Sequence, residues 1–67
     1  MNKVTKDDWE FTLRTMDKKG RDDGYVALIE DDFVFFDEDP CMEGFDVLYV
    51  TRNDVEQNIR EYDKSDE

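Results

Sequence analysis

The chain has 67 residues, 20 acidic and nine basic, with no histidine and a single cysteine, for a net charge of −11. A single domain of that length buries only about 60% of its unfolded surface. The lone Cys41 excludes an internal disulfide, and the missing histidines exclude a structural zinc site.

The N-terminus, MNKVTKDDW, lacks an apolar run, so neither a signal peptide nor a membrane span is expected there. One unpaired cysteine fits a reducing compartment, which predicts a cytosolic protein. Low hydropathy with high charge is a mark of disorder. Against it stand one tryptophan, three tyrosines and five phenylalanines, gathered in periodic segments. A single small acidic domain over 1–67 is expected, frayed at 1–4 and 63–67.

The first element is expected to be a helix. Thr5 is a candidate N-cap with Asp8 as its capping-box partner, and Trp9, Leu13 and Met16 recur at i, i+4 and i+7. Lys18, Lys19 and Gly20 suit the C-terminal end. The same stretch also alternates, with Trp9, Phe11, Leu13 and Thr15 on one side. The alternative is therefore a fourth strand beside a C-terminal helix.

Three strands are expected next. YVALIE (25–30) follows the turn-rich KKGRDDG, and FVFF (33–36) comes two residues later, so Asp31 and Asp32 are expected to close a tight hairpin. That turn lacks the glycine or asparagine such loops prefer. FVFF has no alternation, which suits a core strand whose two faces are both covered; the alternative is that one face meets a partner. DEDPCMEG (37–44) reads as a loop, and FDVLYVT (45–51) alternates as a strand.

A second helix is expected after Thr51. VTRNDVEQNIREYDK (50–64) matches VTKDDWEFTLRTMDK (4–18) at an offset of 46, repeating the cap, the capping-box acid and the apolar stripe as Thr51, Asp54, Val55, Ile59 and Tyr62. The fold class is therefore α+β, in the order α-β-β-β-α, with a three-stranded antiparallel sheet packed by two helices.

Catalytic signatures are missing. Cys41 has no histidine to activate it, acidic neighbours raise a thiol pKa, and the three isolated glycines form no phosphate loop. No enzyme activity and no cofactor are expected. Residues 19–30 mimic the back half of an EF-hand, with Asp23, Gly24 and Glu30 at positions 5, 6 and 12. Lys19 and Arg21, however, fall where oxygen ligands are needed. No metal site is expected. Direct nucleic-acid binding requires a basic patch, and the largest local excess is +2 over residues 1–21.

The charge is unevenly spread. Residues 22–51 hold ten acids and no base, a net of −10, and three acids bracket FVFF on each side. A field of one sign repels itself and steers cationic partners. In charge and size the chain resembles the small acidic DNA-mimic inhibitors, many of them phage-encoded and aimed at host defence or nucleic-acid enzymes. That resemblance implies an inhibitor or decoy for a basic, nucleic-acid-binding protein surface. The candidate partner-binding residues are Asp31, Asp32, Asp37, Glu38, Asp39, Glu43 and Asp46, with Phe33 or Phe35 as an apolar anchor. The alternative is a small homodimeric or accessory interaction module whose acidity serves solubility.

Overall fold

The computed structural model describes residues 4–65. Two helices and three strands follow in the expected order: α1 (Lys6–Lys19), β1 (Asp23–Ile29), β2 (Asp32–Phe36), β3 (Val47–Thr51) and α2 (Arg52–Ser65). The expected fraying at 1–4 and 63–67 lies partly outside the described residues, and within them α2 continues through Ser65.

Local chemistry explains where the helices start and stop. The Thr5 side chain accepts from the Asp8 backbone N–H, and the Asp8 carboxylate accepts from the Thr5 N–H in return. Asp54 and Thr51 repeat this reciprocal bonding at the start of α2. α1 ends at Gly20, whose φ of +67° is left-handed backbone that glycine adopts without strain. Beyond it, the Arg21 N–H donates to the Met16 carbonyl. The helical phase over 9–16 excludes the fourth-strand alternative. Trp9, Thr12 and Met16 are buried on one stripe while Phe11 is exposed on the other side. The buried Thr12 hydroxyl is satisfied by the Asp8 carbonyl.

The sheet runs in the order β2-β1-β3, with β1 central and antiparallel to both neighbours. β2 and β3 are thus mutually parallel, and the segment 37–46 must carry the chain back along the sheet between them. Val26, Val50, Phe33 and Phe35 face the helices and pack with Trp9, Leu13, Met16, Val55 and Ile59. Trp9 meets Phe33 edge-on, with ring centroids 5.3 Å apart. The two helices are antiparallel: Lys6 at the start of α1 binds Asp63 near the end of α2, and Arg52 at the start of α2 binds Asp17.

Two sequence expectations change. Both helices pack on one face of the sheet, so FVFF is not a strand sandwiched between helices. Phe33 and Phe35 enter the core, whereas Val34 and Phe36 lie half-buried on the opposite face, beside Ala27 and Tyr25. The β1–β2 turn is also shifted by one residue. Ile29 pairs with Asp32, leaving Glu30 and Asp31 as the two central residues. Their φ values are +50° and +74°, the left-handed pair of a type I′ turn. Asp32 belongs to the strand. The register decides this, because a one-residue slip would turn Phe33 and Phe35 away from the core.

Candidate protein-docking end of the sheet

The ten acids of the middle segment divide between the two ends of the sheet, and the ends differ in electrostatics. At the end where α1 finishes and α2 begins, bases in or just beyond the flanking helices reach three of the acids. Lys19 lies 3.4 Å from Asp37, Arg21 3.6 Å from Asp23, and Arg52 3.5 Å from Asp22 while also binding Asp17. The Arg52 guanidinium is held above its ordinary pKa, first by the hydrogen bond to Asp17 and further by that to Asp22. Tyr49 donates its hydroxyl to Asp23 at 2.8 Å, and that bond raises the tyrosine pKa above the usual value. A wide hollow at this end, lined by Arg21, Asp22, Asp23, Tyr49, Arg52 and Glu56 among others, carries both signs of charge.

The hairpin end is different. The side chains of Glu30, Asp31 and Asp32 on the turn, and of Glu43 and Asp46 in the segment entering β3, make no ion pair or hydrogen bond among the described residues. Two of them, Glu30 and Asp31, occupy left-handed backbone in which glycine or asparagine is the ordinary choice. A left-handed conformation costs an L-residue roughly 1–2 kcal/mol. Strain of this kind collects at functional sites.

Beside this turn lies a mostly apolar cleft of about 370 Å³, formed by Val4, Trp9, Val26, Ala27, Leu28, Phe33, Gly44, Phe45, Asp46 and Leu48. Leu48 pairs with the core residue Val26 and shares its side of the sheet, yet it is 55% exposed; Phe45 is 41% exposed.

The expected contact residues therefore separate. Asp31, Asp32, Glu43 and Asp46, at or entering the hairpin end, have no side-chain partner among the described residues. Asp37 is bound to Lys19, at the opposite end of β2. Glu38 and Asp39 follow it, and Asp39 accepts the Cys41 backbone N–H at 2.9 Å, fixing its own loop. Phe33 is a wall of the cleft and an edge-on partner of Trp9, while Phe35 lies over Gly24 inside the sheet. Sequence reasoning counted Glu30 among the six acids bracketing FVFF but did not place it, Phe45 or Leu48 among the contact residues. For Glu30 the missing turn glycine was the available signal; for Leu48 alternation along 45–51 placed it correctly but gave no measure of its exposure.

The stretch likened to an EF-hand is the last residue of α1, a turn, the whole of β1 and the first residue of the hairpin turn, and so forms no ligand loop. Among the described residues, no three His, Cys, Asp or Glu side chains are grouped to hold a metal ion. No described helix is long and apolar enough to cross a membrane. Comparison with protein families, curated proteins and solved structures returned no match.

Proposed function

We propose that this chain is an acidic protein-binding module that engages a basic, nucleic-acid-binding surface of another protein, as an inhibitor or decoy in the manner of a DNA mimic. The observation that carries this reading is the contrast between the two ends of the sheet. Asp37, Asp23 and Asp22 at one end are paired with Lys19, Arg21 and Arg52, while the acids at the hairpin end have no ion pair among the described residues. Solubility alone gives no reason for a glutamate at Glu30, a left-handed turn position where asparagine, aspartate or glycine would fit better. Duplex DNA presents one negative charge per ~1.7 Å of its axis, and carboxylates on a rigid turn can imitate part of that pattern. The proposed setting is the cytosol, a host cytosol if the chain is phage-encoded.

The test begins with capture of binding proteins from the native host on the immobilised full chain, followed by measurement on the purified partner. Affinity is expected to fall steeply between low and high salt, and duplex DNA is expected to compete. A partner bound equally well at both salt concentrations, or indifferent to DNA, would overturn the reading. Such salt-insensitive binding would favour the accessory module.

A further inference from the structure

We infer that the apolar cleft at the hairpin end receives an apolar side chain carried on a basic segment of the protein partner. This inference rests on the proposed role of the acidic end as a docking element for a cationic surface. The cleft sits on the helix side of the sheet, with Trp9, Leu28 and Phe33 among its walls and the exposed Phe45 and Leu48 also lining it. Its volume of about 370 Å³ lies near the lower end of ligand pockets, roughly 300–1,000 Å³. That size suits an anchor side chain, the kind of contact that dominates binding energy when it is seated in a desolvated pocket.

Charge selects the occupant. Among the described residues, Asp46 is the one charged residue lining the cleft. Leu28 and Phe33 in its lining are joined through the turn that carries Glu30, Asp31 and Asp32. A segment with an apolar residue flanked by lysine or arginine would fill the cleft and meet these acids together. A second copy of this chain would instead bring two acidic rims against each other. A nucleic acid would be repelled outright. The two features thus supply different parts of recognition: the acids steer and orient, and the cleft discriminates among cationic surfaces.

The test uses the full chain and two synthetic lysine- and arginine-rich peptides of equal net charge. One carries phenylalanine at its centre and the other alanine. Binding is read from the anisotropy of a label on each peptide and from emission of Trp9, the only tryptophan. The phenylalanine peptide is expected to bind about tenfold more tightly and to shift Trp9 emission. Leu48→Ser and Phe45→Ser remove that advantage and leave the alanine peptide unaffected. Both side chains are exposed, so the variants keep the fold, which a thermal melt checks. Neutralising the turn (Glu30→Gln, Asp31→Asn, Asp32→Asn) weakens both peptides alike. Equal affinity for the two peptides, with binding still lost in salt, overturns the cleft inference and leaves the charge reading standing. Failure of both peptides to bind overturns both. A dimer in sedimentation that Leu48→Ser dissociates assigns the cleft to a second copy and also overturns the inference.

Discussion

Glu30 and Asp31 carry the clearest conflict between local preference and observed backbone. Both are left-handed, at +50° and +74°, in a turn where Asn-Gly is the usual solution. Glu30→Asn with Asp31→Gly is expected to raise unfolding free energy by about 1 kcal/mol in urea titration, while weakening binding to a cationic partner. A double variant that is no more stable would show that the turn is unstrained. Gly24 is a conflict of the opposite kind. A Cβ there would stand 2.2 Å from the Phe35 ring, so Gly24→Ala must displace a core aromatic. Overpacking of this sort costs about 1–3 kcal/mol, read as a lower melting temperature. At Tyr49 the hydrogen bond to Asp23 raises the phenol pKa. The stabilisation from that bond is complete below the pKa of an unfolded tyrosine, about 10, and is lost as pH rises through the higher folded value. In a phenolate absorbance titration, with Tyr49→Phe as the reference, Asp23→Asn should bring the Tyr49 transition to lower pH.

At the scale of elements, the near-repeat of 4–18 and 50–64 is a repeat of helix initiation. Thr5 with Asp8 and Thr51 with Asp54 form the same reciprocal bonds, and Trp9 and Val55, which follow them, are both buried. Thr5→Ala and Thr51→Ala are each expected to cost about 1 kcal/mol in equilibrium unfolding. The copies diverge after the first turns: Met16 is fully buried, whereas its counterpart Tyr62 is 36% exposed and donates its hydroxyl to the Val4 carbonyl. The helix and strand identities were legible because caps, glycine and apolar spacing act within a few residues. The turn was placed one residue late because Asp31-Asp32 and Glu30-Asp31 look equally poor as turns in isolation. Only the pairing of Phe33 with Leu28 and of Phe35 with Val26 selects between them.

Over the whole molecule, a net charge of −11 makes the folded state repel itself. Screening should therefore stabilise the isolated domain: its melting temperature is expected to rise between low and moderate sodium chloride, while affinity for a cationic partner falls over the same range. Opposite salt responses of folding and binding would separate the two consequences of one charge distribution. A melting temperature that falls with salt would mean that the helix-end ion pairs outweigh the repulsion.

Composition and local pattern by themselves determined the fold class, both helix starts, the glycine end of α1, the approximate strands and the concentration of acid in residues 22–51. Each rests on interactions between near neighbours in sequence, or on simple counting. The tertiary structure alone decided that β1 is central, that both helices share one face, and that the four residues of FVFF divide between the core and the opposite side. It also decided which acids find a base among the described residues. A window without bases in the sequence acquires them in space, because Lys19, Arg21 and Arg52 fold back onto Asp37, Asp23 and Asp22 at one end of the sheet. The physical reason is that charges interact through space, and chain separation does not limit which of them meet.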